Sequence, residues 1–283
     1  MSSAITVVKL GGRTQSDPAL PGTLASLWEQ SEGRLVLVHG GGDQISALQR
    51  LRGEEPEFIG GRRVTTDLAL ELVRMVLSGL ANKQLVSALV AAGVPAVGVS
   101  GEDAGMLRAA AIDQERFGHA GTPCNVNVEL IRALLAAGFM PVISPVAARE
   151  DVSTPGACNV NGDDAAAAIA AGLSAEELFL MIDLVGVLDE GKQLLKSLSL
   201  DAAAALVSGG VAVGGMAAKL EAAAAALTGG TGRVRIGNLA ALATPGAGTS
   251  ILARTGQIES GKSFAEIVDP DSRLAPGVLP SRP

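Results

Sequence analysis

The chain has 283 residues, a length that fits one α/β unit with two lobes and a cleft between them. Hydrophobic residues make up 48% and aromatics 2%, with no Tyr, so the core is expected to be aliphatic side chains on helices and buried parallel strands, not base-stacking surfaces. The formal charge is −7, from 22 basic and 29 acidic residues without a run of Lys or Arg, which excludes a nucleic-acid partner and leaves anions to a few local cations, backbone amides and Mg²⁺.

Short β-branched runs alternate with longer helical patterns, the signature of βαβ units feeding a parallel sheet. The first strand, residues 5–10, runs into Lys9-Leu10-Gly11-Gly12. A lysine ending a buried strand is costly unless an anion meets it, and phosphate is a natural partner; a lysine snorkelling at the sheet edge is the alternative. The second strand, 35–39, ends in His39-Gly40-Gly41-Gly42 ahead of a helix beginning near Asp43. The amides of Gly41 and Gly42 then point into the same cleft, whereas a lone His39 at a strand end reads more readily as structural than as an acid or base. Arg62 and Arg63 precede a helix capped by Thr66 or Asp67, and one of them suits a bidentate grip on a carboxylate if the two are not simply solvated. That helix is predicted over 68–92, with Leu68, Leu72, Met75 and Val76 on its apolar face.

A third strand at 96–100 ends at Gly101, and residues 101–128 read as a β-hairpin insertion. A helix over 128–137 and a strand over 141–145 follow. Asn159-Val160-Asn161-Gly162-Asp163-Asp164 then leads into an Ala-rich helix, 163–171. These polar residues serve as caps by default, yet alternation places Asn159, Asn161 and Asp163 on one side of an extended segment, which suits a ligand. A strand over 178–183, helices over 202–208 and 219–227, and a strand over 234–237 complete the pattern. Lys219, the one cation between Val211 and Leu227, opens its helix after Gly214-Gly215-Met216, either as a solvated residue or as a counterpart to Lys9.

The Pro-bearing tail, 254–283, is expected to pack loosely. It holds a decoy: Gly256 to Ser263 satisfies the phosphate-loop pattern letter for letter, but too little chain follows for the helix and acidic strand end that such a loop needs, so it is left out of the site. Cys124 and Cys158 are the only cysteines, no signal peptide is evident, and no apolar run is long enough to span a membrane, so a cytoplasmic protein is expected.

In this order, Lys9-Leu10-Gly11-Gly12, His39-Gly40-Gly41-Gly42, Arg63-Val64-Thr65, Gly101-Glu102-Asp103-Ala104-Gly105, Asn159-Val160-Asn161 with Asp163, Asp183 to Val187, and Gly214-Gly215-Met216 with Lys219 closely resemble the amino acid kinase family. The resemblance covers about residues 4–253 and is strongest to members acting on N-acetyl-L-glutamate in arginine biosynthesis. It implies a three-layer αβα sandwich on a mainly parallel open sheet, with an N-terminal lobe (1–160) for the acyl substrate and dimerisation and a C-terminal lobe (161–253) for ATP. By matched position, Lys9 and Lys219 would flank the transferred phosphoryl group and Asp163 would hold both. Gly41, Gly42, Arg63 and Asn159 would bind the acyl substrate; Gly11, Gly12, Asp183, Gly186, Gly215 and Met216 would line the nucleotide site. Mg²⁺ would be held mainly through the ATP phosphates, without a dedicated protein metal site. Ile182 departs from the small hydroxyl residue usual before Asp183, and Gly162 and Asp164 alter the surroundings of Asp163. With no helical extension ahead of the first strand, a homodimer insensitive to arginine is expected. An aminoadipate-type kinase and a non-catalytic metabolite sensor on the same fold are the alternatives; the presence of Lys9, Asp163 and Lys219 argues against the sensor.

Overall fold

A computed structural model describes residues 4–11, 13–153 and 156–253. Gly12, the tail and the phosphate-loop decoy lie outside the described residues. In chain order the elements are β1 (Thr6–Leu10), α1 (Leu20–Gln30), β2 (Leu35–His39), α2 (Gly42–Leu51), the ribbon strands β3 (Phe58–Ile59) and β4 (Arg62–Arg63), α3 (Asp67–Val73), α4 (Asn82–Ala91), β5 (Ala96–Gly101), β6 (Leu107–Ala111), α5 (Gln114–Phe117), β7 (Ala120–Val126), α6 (Glu129–Ala136), β8 (Met140–Arg149) and β9 (Ala157–Val160). Then come α7 (Gly162–Leu173), β10 (Glu177–Met181), β11 (Ser197–Ser199), α8 (Leu200–Ser208), α9 (Gly215–Thr228), β12 (Arg233–Gly237), α10 (Leu239–Ala243) and β13 (Thr249–Leu252).

Among the described residues, eleven strands form one sheet in the order β11-β13-β12-β10-β1-β2-β8-β6-β7-β9, with β5 on the free side of the first part of β8. The central strands β12, β10, β1, β2 and β8 are parallel, so their carboxyl ends share one edge, where an open α/β sheet binds its ligand. Period-2 alternation sorts their side chains: Val8, Leu10, Leu35 and Leu37 pack with Leu20, Leu24 and Leu89 on one face, while Val7, Val36 and Val38 pack with the alanines of α7 and α9 on the other. Lys9, in step with Val7, therefore faces α7 and α9. The alanine-rich helices keep these layers close and account for a core nearly free of aromatics.

Several sequence expectations shift. The strand predicted over 178–183 ends at Met181, leaving Asp183 exposed beyond it, and the strand predicted over 141–145 continues to Arg149 because its second half pairs with β6 and β9. Residues 101–128 do form a hairpin, but β6 pairs parallel to β8, so it extends the main sheet. The helix over 68–92 contains a π-helical stretch, Arg74–Ala81, whose wider turns break the 3.6 period: Met75 is 58% exposed, and Leu77 and Ala81 face inward instead. Asp163 lies in the first turn of α7, not in an extended segment, and Asn161 is the N-cap that accepts a hydrogen bond from its amide. Among the described residues no helix is long and apolar enough to cross a membrane.

Candidate active site

Lys9 leaves β1 beneath the first turn of α7, where the ammonium lies 2.8 Å from Asp163 Oδ1, off the hydrogen-bonding direction of that oxygen. Lys219, one turn into α9, donates to Asp163 Oδ2 at 3.1 Å. One buried carboxylate thus holds two lysines from elements far apart in sequence. Burial alone would push the Asp163 carboxyl up, but Lys9 and Lys219 outweigh it and hold the group below the usual carboxylate range. Burial holds Lys9 below the usual lysine range, with the Lys219 charge adding to the effect and Asp163 opposing it. Two cations on one carboxylate leave a net positive charge facing the cleft. The N-termini of α2, α7 and α9 open at Gly42, Gly162 and Gly215, and Gly42 and Gly162 line the cleft, adding unpaired backbone amides.

The cleft has a volume of about 220 Å³ and is lined by Lys9, Gly41, Gly42, Arg63, Asn159 and Asp163, together with the ribbon residues Phe58 and Gly61. Arg63 is fixed from beneath: Nη1 donates to Gln49 Oε1 at 2.5 Å, Nη2 donates to the Gly42 carbonyl and Ser46 Oγ, and the guanidinium lies over the Phe58 ring. Asn159 donates to Thr65 Oγ1 at 2.9 Å. Thr65 is itself pinned by main-chain bonds to Phe117 and His119, and Gly118 is required there: its φ is +62° and a Cβ would sit 2.2 Å from the Thr65 carbonyl oxygen. His39 is fully buried; its Nδ1–H donates to the Gly40 carbonyl, Asn82 Nδ2 donates to its Nε2, and burial pushes the imidazole down to about 4. It is a neutral strut behind the glycine turn, as its strand-end position predicts.

A second cleft of about 610 Å³ lies past α9, lined by Leu184, Val187, Ala212 and Met216. Met216 and Lys219 sit one turn apart at the head of α9, Met216 lining this second cleft and Lys219 reaching Asp163 of the first. Gly186 is tightly enclosed: a Cβ would approach Leu194 and Thr249 Oγ1 to 2.6 Å. Gly11 lies beside the Met181 carbonyl. Asp183 lies apart from Met216, in a shallow surface with Thr14, Asp17 and Asn238.

A sequence model of the Amino acid kinase family matches residues 4–238. The chain belongs to the amino acid kinase family. Among curated relatives, acetylglutamate kinase of Paracoccus denitrificans is 42% identical over 239 residues, covering 83% of this chain and 77% of that protein. Acetylglutamate kinase of Chloroflexus aurantiacus is 40% identical, covering 85% and 94%. Among solved structures, N-acetylglutamate synthase from Neisseria gonorrhoeae complexed with coenzyme A and N-acetyl-glutamate superposes with a TM-score of 0.77 at 27% identity, over 90% of this chain and 61% of that one. Carbamate kinase from Giardia lamblia bound to AMP-PNP, at 17% identity and a TM-score of 0.66 over 89% of this chain and 99% of that one, shares the fold.

Within this amino acid kinase fold, the partners that sequence reading missed are those joining distant elements. Asp164, passed over in favour of Asp163, is buried and paired with Arg62 at 2.6 Å. Gln49, Ser46 and Thr65 position the predicted Arg63 and Asn159; Gln49, at 1% exposure on a surface helix, carried the one available signal, a polar residue at an inward helical position.

Proposed function

We propose that this chain transfers the γ-phosphoryl group of ATP to the γ-carboxylate of N-acetyl-L-glutamate, giving N-acetyl-L-glutamyl 5-phosphate for arginine biosynthesis. The observation that carries the reading is the Lys9–Asp163–Lys219 cluster, a buried and a half-buried cation shared by one buried carboxylate. The relatives named acetylglutamate kinase, at about 40% identity over most of the chain, supply the substrate.

In the reaction a carboxylate oxygen forms a bond to the γ-phosphorus, the bond to the β,γ-bridging oxygen breaks, and its electron pair leaves with ADP. A carboxylate with a reference pKa of about 4.3 is already ionised at neutral pH, so no general base is required. Buried, neutral His39 accordingly has no step to perform. Catalysis then reduces to alignment and to stabilising charge on the phosphoryl oxygens, the work assigned to Lys9 and Lys219. Asp163 keeps both ammonium groups aimed. As the one acidic residue lining the first cleft among the described residues it is occupied by those lysines, which fits a Mg²⁺ carried on the ATP phosphates, where it would neutralise phosphate charge.

Arg63, Asn159 and the amides of Gly41 and Gly42 are assigned to the acyl substrate, and Gly11, Gly12, Asp183, Gly186, Gly215 and Met216 to the nucleotide side. This divides the work between residues 1–160 and 161–253. We assign a homodimer through β5, which among the described residues pairs on one side only and lies beside a helical segment exposing Met75 and Leu80. Free Cys124 and Cys158 fit a cytoplasmic setting. The test is ADP release with N-acetylglutamate, N-acetylaminoadipate, glutamate and aspartate. N-acetylglutamate is expected to give the highest kcat/KM, and a preference for the aminoadipate derivative would reassign the substrate.

A further inference from the structure

Arg62 and Arg63 are neighbours in β4 and so leave opposite faces of the β3–β4 ribbon. Arg63 goes down to α2, whereas Arg62 crosses to α7 and donates from Nη1 to Asp164 Oδ2 at 2.6 Å, a contact spanning 102 residues of sequence. The ribbon has two residues per strand, joined through Gly60 and Gly61 at φ of 56° and 78°, and is too short to hold itself together. Phe58, Gly61, Arg62 and Arg63 nevertheless line the first cleft, so the ribbon's place there depends on its two arginine anchors. Asp164 is 3% exposed and directly follows Asp163, yet the phosphoryl-transfer chemistry makes no use of it.

We propose that the Arg62–Asp164 ion pair is a latch, fastening the ribbon to the helix that carries Asp163 and so positioning the acyl substrate against the two lysines. The proposal rests on the reading of the first cleft as the acyl-substrate site. Two physical features favour it. A carboxylate buried beside another carboxylate is expensive without a cation, so lifting the ribbon strands Asp164 next to Asp163 and the closed form is preferred. With the latch shut, Arg62 pairs with Asp164 while Lys9 and Lys219 pair with Asp163, so both buried carboxylates have a cation and the two lysines are left to serve an incoming anion. Arg62 is a positioning residue, acting through the ribbon and not on the reacting atoms.

The test uses the full chain with Arg62→Ala, Arg62→Lys, Asp164→Asn and the Arg62→Ala/Asp164→Asn double variant. Losing one charge-assisted hydrogen bond should raise KM for N-acetylglutamate by about tenfold or more in Arg62→Ala, with KM for MgATP moving less than about twofold. Hydrogen exchange of the amides in residues 57–64 should quicken in the same variant. Arg62→Lys should recover most of the lost affinity, and the double variant should be no worse than Arg62→Ala. An unchanged KM and unchanged ribbon exchange in Arg62→Ala would overturn the latch, as would equal shifts in KM for both substrates or additive effects in the double variant. Arg62 is partly exposed, so its variants carry the test even if Asp164→Asn folds poorly. A wild-type chain inactive on N-acetylglutamate would defeat the functional reading instead, and the exchange measurement would still decide the latch.

Discussion

Replacing Lys219 by alanine removes a cation without disturbing the scaffold. The residue lies in the second turn of α9, where alanine is the best helix former, and Asp163 keeps Lys9 at 2.8 Å. The loss therefore falls on the charge that the cleft presents to the phosphoryl group. A unit charge about 4 Å from another at an effective dielectric near 20 is worth about 4 kcal/mol, an upper figure because part of it already acts in the ground state. Removal of one preorganised donor to a transition-state charge costs about 10²–10³ in kcat, or about 3–4 kcal/mol, and the two routes agree. Lys219→Ala should thus lower kcat about 100- to 1000-fold while KM for N-acetylglutamate changes less than about fivefold, measured from initial rates with each substrate varied in turn. The urea midpoint should move little. A kcat within about tenfold of wild type, combined with a large rise in KM for N-acetylglutamate, would take Lys219 out of the phosphoryl site.

Asp163→Asn leaves buried Lys9 and half-buried Lys219 without a counter-charge and should cost about 3–5 kcal/mol in urea unfolding, part of it recovered by MgATP; a loss below about 1 kcal/mol would contradict the shared-carboxylate geometry. Because the folded pKa of Asp163 is lowered, its stabilisation is fully present above the unfolded value of about 3.9 and disappears as pH falls through the folded value, so the gap between wild type and Asp163→Asn should narrow only in strong acid. His39 behaves differently: between about pH 6.5 and 4 the unfolded chain binds the extra proton, so stability falls as pH falls through that window, by about 3 kcal/mol in full. His39→Gln should flatten that part of the stability curve and leave the pH–rate profile from 6 to 8 unchanged; an inflection lost with the imidazole would restore His39 as an acid or base. Light scattering should give the mass of two chains, and a monomer would remove the role assigned to β5.

The alternation of β-branched runs with helical periods made the central strands legible, and glycines at their ends marked the edge that carries the site. Lys9 and His39 were placed correctly because a strand fixes side chains two by two. Local pattern reached its limit where tertiary contacts decide. The π-helical turns that expose Met75 have no sequence period of their own, and Asn161 ended an extended run by capping a helix, which moved Asp163 onto α7. The Arg62–Asp164 pair joins elements whose proximity only the sheet order supplies, so each residue alone read as a solvated charge or a cap, whereas the Lys219–Asp163 pair was legible through the family resemblance and not from local pattern. Motifs in series, not any one of them, carried the functional expectation.

The central claim is that the two lysines on Asp163 serve transfer of a phosphoryl group to a carboxylate, and trapping the acyl phosphate with hydroxylamine tests it most directly. With MgATP and N-acetylglutamate, the wild-type chain should form the hydroxamate in step with ADP, and Lys219→Ala should form it about 100-fold more slowly or worse. ADP released without hydroxamate, or no hydroxamate from N-acetylglutamate or any other carboxylate in the panel, would contradict it.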